Sequence, residues 1–356
     1  MANLDEKRST RSVTDRVSGL DSLRFVCAMW VFFSHGADPP LVDALNPDSP
    51  IGLMARVLYN NFWNGPAAVI IFFVISGFCI HYPHTGTLKS LHLAEFYSRR
   101  MLRLLLPVAV AIPLSSAIGI KLDLFQESIL WSLLAELIYY LLYPGLRVIH
   151  LRCRSWAPII VVAYAASLAV VLTNPTAGNY PSYGAALNWL LGLPCWLLGC
   201  ALAESVRRQA LPTISQGALW LWRVGILGLA WGSRSLQLHS PIGYPWTLNL
   251  FALVVAAWLL REISFRRITS PTAWLEWAGN WSYSLYLLHP AAGAFCDRIF
   301  PTMLHGWLHW ILLCSFVLAT CYLFYLVVER PSHLLARHIS RSLRSLSFNK
   351  KTIVKV

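Results

Sequence analysis

The amino-acid sequence predicts an all-α membrane protein, a polytopic bundle of about ten transmembrane helices. Of its 356 residues, 56% are hydrophobic and only 13% are charged, and the mean hydropathy is +0.54. A soluble domain carries charge on about a quarter of its residues, so the bilayer is the solvent that suits this chain. These proportions exclude an ordinary soluble enzyme, a disordered chain and a disulfide-stapled secreted domain.

Ten apolar stretches predict the individual helices, because each approaches the length of about 20 residues that spans a bilayer. They are residues 20–36, 66–83, 102–118, 128–146, 157–172, 186–203, 217–232, 245–260, 280–295 and 307–328. The preceding residues are polar and lack the apolar segment and cleavage site of a signal peptide, so insertion has to use these spans. We expect a tail over 1–19, a membrane domain over 20–331 and a basic tail over 332–356, with the longest loop at 37–65.

In this topology, loops that are rich in lysine and arginine alternate with loops that contain few of them. Of the 29, 23 fall on the side that holds both tails and 4 on the opposite side, while Arg24 and Arg223 lie within spans. The positive-inside rule assigns the richer side, and therefore both termini, to the cytoplasm. The net charge of +13 is thus a sign of orientation, and no nucleic acid partner is expected.

The eight cysteines show no CxxC spacing, and most of them lie in the predicted spans. A thiol in such a place behaves as a small apolar side chain, so we expect neither a disulfide nor a metal site.

The first span contains two ionisable side chains, Arg24 and His35, eleven residues apart. At about 100° per residue they share one helix face, about 16 Å apart along the axis. An ionisable group in the bilayer costs free energy unless it is paired or hydrated, so each is a functional candidate. Together they suit a tunnel that holds an anionic carrier and reacts at its tip. The alternative is that Arg24 snorkels to lipid headgroups and His35 is an interfacial residue.

The second span places Ser76 and Gly77 within an apolar run. Glycine permits close backbone approach, either to another helix or to a ligand. Both residues are candidates for cofactor contact, and helix packing is the alternative for Gly77.

The loop after the second span ends in Arg99, Arg100 and Arg103. Arg100 and Arg103 are one helical turn apart and can hold one phosphate group between them. The alternative is that these cations anchor the loop to lipid headgroups.

The fourth span carries a polar stripe on an otherwise apolar helix, formed by Ser132, Glu136, Tyr140 and Tyr143. Glu136 lies mid-span, where a carboxylate has to be protonated, paired or hydrated. It is a candidate to orient a histidine or to hold its charge. The alternative is a structural partner for an arginine or a tyrosine.

The ninth span places Ser282, Tyr286 and His289 on one face. Pro290 has no backbone N–H, so it frees a carbonyl near His289. Tyr286 and His289, like Tyr140, are candidates for substrate binding, and a packing histidine is the alternative for His289.

Six segments in order resemble the acyltransferase-3 family of integral membrane acyltransferases, which includes O-antigen and Nod-factor O-acetyltransferases. They are Arg24-x10-His35, Phe73-Val-Ile-Ser-Gly-Phe78, Arg100-x-x-Arg103, Trp131-Ser-Leu-x-x-Glu136, Ser282-Tyr-Ser-Leu-Tyr-Leu-Leu-His-Pro290 and Glu329-Arg-Pro331. The resemblance runs from near residue 20 to near residue 331 and so covers almost the whole chain.

The resemblance implies a bundle that takes an acyl group, above all acetyl, from cytoplasmic acetyl-CoA. It passes that group to a sugar hydroxyl of a cell-surface or lipid-linked glycan. The expected location is the bacterial inner membrane, in contact with its lipids. Some members carry a fused C-terminal esterase-like domain. Here only a basic tail follows Pro331, so we expect transfer to be completed within the membrane domain.

Carried over to this sequence, the family pattern makes His35 the catalytic histidine and Arg24 its partner in the tunnel. Arg100 and Arg103 would lie at the CoA end, helped by Arg99. The neutral imidazole can act as a general base on the acceptor hydroxyl or as a nucleophile that accepts the acyl group. Glu136 would stabilise the imidazolium.

A transporter or flippase of a glycan or small molecule is the alternative function. It shares the ten spans and the intramembrane arginine, glutamate and histidine. Such a protein predicts internal repeats, and the sequence shows none. The acceptor and the oligomeric state stay open at this point.

Overall fold

The computed structural model describes residues 17–86, 91–122, 129–209, 211–300 and 306–353, with side chains of the last range up to residue 343. Within these ranges the chain is helical and has no strand, which confirms the all-α class. The expected N-terminal tail lies outside the described residues up to residue 16. The helices are α1 (Leu20–Phe32), α2 (Pro50–Phe62), α3 (Gly65–His81), α4 (Leu93–Ala117), α5 (Trp131–Cys153), α6 (Ala157–Thr173), α7 (Asn188–Arg207), α8 (Gln216–His239), α9 (Tyr244–Arg266), α10 (Ala273–Gly279), α11 (Ser282–Ile299), α12 (Gly306–Phe324) and α13 (Arg330–Ile353).

Six helical stretches of the described chain are long and apolar enough to cross a membrane, and each overlaps a predicted span. They are Pro50–His84, Leu93–Ala117, Trp131–Cys153, Asn188–Arg207, Tyr244–Arg266 and Gly306–Leu343. Helix α6 is apolar but only 17 residues long. The other predicted spans coincide with α1, α8 and α11, which are shorter, less apolar or more charged, so a total of ten stays a prediction.

The expected loop at 37–65 contains helix α2. Ser49 caps this helix, because its hydroxyl oxygen accepts a hydrogen bond from the N–H of Gly52 at 3.0 Å. Pro50 occupies the first turn, where a helix needs no N–H donor. The Ser-Pro pair is therefore a helix start, so the segment predicted as the longest loop between spans contains a helix.

The expected basic tail at 332–356 is helical as far as Ile353. A π-helical turn, Tyr325–Glu329, joins α12 directly to α13. Helix α13 packs along α4 through Ser332, Ala336 and Ser340, which are buried and recur every fourth residue. Such small side chains let two helix backbones approach closely.

Helices α3 and α7 pack with their backbones in close contact. A Cβ atom at Gly77 would lie 1.9 Å from the carbonyl oxygen of Trp196, and one at Gly199 would lie 2.0 Å from that of Val74. Real Cβ contacts are never that short, so glycine is required on both sides of the crossing. The close approach that Gly77 permits is thus to a helix, and its expected contact with a cofactor is replaced by helix packing.

Gly77→Ala is expected to destabilise the protein by about 1–3 kcal/mol or more, because the new methyl group would overlap backbone atoms of the neighbouring helix. Thermal unfolding of the purified protein in detergent measures the loss. Gly225→Ala on α8 is the matched control, since a Cβ there meets no atom within 4 Å. Equal unfolding midpoints for the two variants would contradict the proposed role of Gly77.

Candidate active site

A cavity of about 600 Å³ lies among α1, α3, α4, α5, α11 and the start of α13. We call it the arginine cavity, because five arginines line it. They are Arg24, Arg100, Arg103, Arg330 and Arg337. Among the described residues, three carboxylates face the same space, those of Asp21, Glu136 and Glu329. The excess of positive charge makes this cavity suited to an anion.

The arginine end of the cavity brings together three residues singled out from the sequence. Arg100 and Arg103, one turn apart on α4, both line it with Arg24 of α1. Arg24 lies 3.8 Å from the carboxylate of Asp21. Its position in the lining favours a role in the cavity over snorkelling to lipid. Arg99 is exposed and is not part of the described lining, so we do not retain it as a cavity residue.

Glu136 lies in the wall of the cavity, bonded to two other polar side chains of the predicted site. It accepts a 2.6 Å hydrogen bond from the hydroxyl of Ser76 and a short one from the hydroxyl of Tyr140. No hydrogen bond or ion pair among the described residues joins it to His35. The expected role of Glu136 beside the histidine is therefore replaced by a role in the cavity wall.

His35 lies at the opposite end of α1, in a π-helical turn, Phe33–Ala37. Gly36 follows it with φ +85°, a left-handed conformation that glycine adopts without strain. The turn ends the helix and leaves His35 exposed. Its Nδ1 atom lies 2.8 Å from the carbonyl oxygen of Val31 and 3.2 Å from Nε2 of His289. We call His35 and His289 the histidine pair.

His289 is buried, and its orientation is set by the proline that follows it. Pro290 cannot donate to the carbonyl of Tyr286, four residues earlier, and that carbonyl lies 2.9 Å from Nδ1 of His289. The carbonyl of Leu285 lies 3.0 Å from the same nitrogen. The freed acceptor expected from the sequence is therefore present, and the histidine uses it.

These contacts determine the tautomers of the histidine pair. A carbonyl only accepts hydrogen bonds, so Nδ1 carries the hydrogen in both rings. Nε2 of His289 then has a lone pair and accepts from Nδ1–H of His35, a hydrogen that is shared with the carbonyl of Val31. This arrangement leaves Nε2 of His35 with a free lone pair, the form that a general base or a nucleophile requires.

The arginine cavity and the histidine pair are neighbours rather than one space. The described lining reaches Phe72, Ser132 and Tyr286 but does not include His35 or His289. The hydroxyl groups of Tyr286 and Ser132 are 2.6 Å apart, so these two expected site residues are joined in the cavity lining. His289 is one helical turn beyond Tyr286 along α11.

A second polar cluster joins α3, α5 and α7, where ligand atoms of His81, His150 and Glu204 lie within 4.8 Å of one another. Sequence spacing does not reveal this group. Nε2 of His81 lies 2.9 Å from the carboxylate of Glu204 and 3.2 Å from the indole nitrogen of Trp156. Nε2 of His81 therefore already has a hydrogen-bond partner within the protein, whichever tautomer the ring adopts. Because this nitrogen is not free to bind a metal ion, we propose no metal there.

Sequence reasoning assigned no site role to the cavity residues of α13: Arg330 was noted only within the Glu329-Arg-Pro331 segment, and the residues from 332 onward were expected to be a tail. Arg330, His333 and Arg337 all line the cavity. Their spacing of three and four residues is a helical signal that the basic composition obscured.

Comparison with known proteins bears on this site directly. The acyltransferase-3 family model, described as an acyltransferase domain, matches residues 17–326. No curated protein and no solved structure matches the chain. The match covers most of the sequence and includes both the histidine pair and the arginines of α1 and α4. The protein therefore belongs to the acyltransferase-3 family of membrane acyltransferases.

Proposed function

We propose that the protein transfers an acetyl group from acetyl-CoA to a sugar hydroxyl of a cell-surface or lipid-linked glycan. The observation that carries the proposal is that helix α1 holds Arg24 in an arginine-lined cavity and His35 in a pair with His289. One helix thus connects an anion-binding space to a histidine with a free lone pair. The family match favours acyl transfer over the alternative of a transporter or flippase.

The charge of the cavity supports a CoA ester as the donor. CoA carries a pyrophosphate and a ribose 3′-phosphate, and arginine binds phosphate through charge-assisted, bidentate hydrogen bonds. Arg100 and Arg103 would hold phosphate at the cavity mouth. The thioester arm would then extend past Arg24 towards Tyr286, the described lining residue that lies one turn from His289.

The histidine pair supplies the chemistry in this proposal. As general base, Nε2 of His35 takes the proton of the acceptor hydroxyl while the hydroxyl oxygen bonds to the thioester carbonyl carbon. The carbon–sulfur bond breaks, and the sulfur leaves as the CoA thiol after taking that proton. In the nucleophilic route Nε2 bonds to the carbonyl carbon while the carbon–sulfur bond breaks and CoA leaves as the thiolate. The acetyl group then passes from Nε2 to the acceptor hydroxyl, whose proton goes to the thiolate. In both routes His289 holds Nδ1–H of His35 and so stabilises the positive ring.

The distribution of basic residues supports an orientation for the reaction. The arginine cavity would open to the cytoplasm, where acetyl-CoA is made, and His35 would lie towards the outer face. Both termini would then be cytoplasmic, in a bacterial inner membrane. Acetyl transfer would carry the group across the bilayer without moving CoA itself.

The purified protein in detergent is expected to release CoA thiol from acetyl-CoA when lipid-linked glycan is added, because the thioester supplies the acetyl group. A thiol-reactive dye measures the release, and mass spectrometry locates the acetyl group on the glycan. The control is the same mixture without acceptor. Glycan binding without thiol release, across lipid-linked and surface glycans, would contradict the proposal and favour the transporter alternative.

A further inference from the structure

Helix α13 supplies part of the cavity wall, although it begins after the residues that match the family. Arg330, His333, Leu334 and Arg337 line the arginine cavity. Their spacing places them on one face of the helix. The buried small residues of the same helix, such as Ala336, pack on α4, which carries Arg100 and Arg103. Two helices therefore present arginines to the same mouth.

The start of α13 is held in place by a buried carboxylate. Glu329, which is 2% exposed, accepts a 3.1 Å hydrogen bond from the backbone N–H of Ser284 and a short one from its hydroxyl. His333 lies 3.6 Å from the same carboxylate. Because Ser284 lies in the first turn of α11, the bond ties the residue that precedes α13 to the helix that carries His289. The arginines of α13 thus have a defined position at the cavity.

Arg330 and Arg337 face the cavity without a carboxylate partner. Among the described residues, neither takes part in an ion pair, whereas Arg24 has Asp21 at 3.8 Å. Positive charge exceeds negative charge nearby, since Arg99 lies in the field of Arg100, Arg337 and Arg341, which Glu95 only partly offsets. A group of like charges on ordered helices is costly unless an anion joins them. The positive charge of Arg330 and Arg337 at the cavity mouth is therefore available to bind a second anionic group, in addition to one bound by Arg100 and Arg103.

The order of burial indicates which anionic group that is. Arg24, Arg100 and Arg103 are partly buried, whereas Arg330 and Arg337 are exposed at the rim. In a CoA thioester, the pyrophosphate follows the thioester arm, and the ribose 3′-phosphate lies at the far end. If the thioester points towards the histidine pair, the 3′-phosphate is the phosphate that reaches the rim.

We infer that Arg330 and Arg337 form a binding site for the ribose 3′-phosphate of the acyl donor, beyond the pyrophosphate site of Arg100 and Arg103. The inference rests on the proposed function, because it requires a CoA ester in the cavity. A phosphate of a lipid headgroup has the same chemistry and is the competing ligand for these two side chains.

The test compares acetyl-CoA with 3′-dephospho-acetyl-CoA on the full-length protein in nanodiscs. The wild type is expected to have a KM about tenfold or more lower for acetyl-CoA, since a charged hydrogen bond contributes about 1.5–3 kcal/mol. In the double variant Arg330→Gln and Arg337→Gln, the KM for acetyl-CoA should rise to that for the dephospho compound. The KM for the dephospho compound should change less than about threefold, which is well below the effect of losing one charged hydrogen bond.

Arg152→Gln with Arg207→Gln is the matched control, because both side chains are exposed and neither lines the cavity. It removes the same charge and should preserve the discrimination between the two thioesters. An equal rise in KM for both donors in the test variant would overturn the inference. So would an effect seen only in anionic nanodiscs, which would identify a lipid headgroup as the ligand. No turnover of either thioester by the wild type would instead overturn the proposed function, and the inference with it.

Discussion

His35→Ala is expected to lower kcat for acetyl transfer by about 10²–10⁴-fold or more, because the variant lacks the only nitrogen of the histidine pair with a free lone pair. The fold should persist, since His35 is exposed and its ring bonds only to Val31 and His289 among the described contacts. Thiol release by equal amounts of purified protein measures the loss. Thermal unfolding confirms that the variant is folded.

The control for this variant is His239→Ala, which removes an exposed imidazole from the end of α8. It should leave turnover and the unfolding midpoint close to those of the wild type. Near-normal transfer by His35→Ala would rule out His35 as the reacting group. Imidazole added to the His35→Ala protein should restore part of the activity, a response that a purely structural residue would not show.

The same variant series separates the two chemical routes. A nucleophilic His35 would hold the acetyl group for a time, so the intact mass of the protein should rise by one acetyl group when acceptor is withheld. A general base would leave the mass unchanged under the same conditions, because it moves only a proton. His35→Ala is the blank for this measurement.

Arg100→Glu with Arg103→Glu is expected to raise the KM for acetyl-CoA by about 10²–10⁴-fold. Two charged hydrogen bonds contribute about 3–6 kcal/mol together, and each 1.4 kcal/mol is a factor of ten. Reversal of the charges adds repulsion to this loss. Steady-state kinetics over a range of acetyl-CoA concentrations measures the effect, with protein content in the membrane determined in parallel.

Arg152→Glu with Arg207→Glu reverses two charges away from the cavity and is the control. It should shift the KM by less than about tenfold, because exposed charges separated by more than about 10 Å are largely screened at ordinary salt. An unchanged KM in the cavity variant, accompanied by loss of protein from the membrane, would indicate that Arg100 and Arg103 act as membrane anchors.

Much of the architecture was predictable because a membrane helix is a continuous apolar segment and can be recognised from the local sequence. Apolar stretches predicted the six helical segments that can cross a membrane, and six short motifs predicted the family that the comparison confirms. The freed carbonyl beside His289 was also predictable, because proline removes a donor at a known spacing. Each of these signals lies within one element or within a few residues.

The errors arose where a local pattern had two structural outcomes. The helix start at Ser49 and Pro50 lies within the segment predicted as the longest loop, and it was missed. Charge in the C-terminal segment obscured the helical spacing of Arg330, His333 and Arg337 on α13. Burial of one face against α4 decides for the helix, and that burial is a tertiary property.

The sequence by itself determined that the chain is helical, which side chains share a helix face, and which family it belongs to. Only the tertiary structure decided which faces meet. His35 pairs with His289 across 254 residues of chain, and Glu136 bonds to Ser76 and Tyr140 instead of the histidine. The periodicity of a helix reports the direction of a side chain about its own axis, but the rotation of one helix against another depends on the packing of all of them.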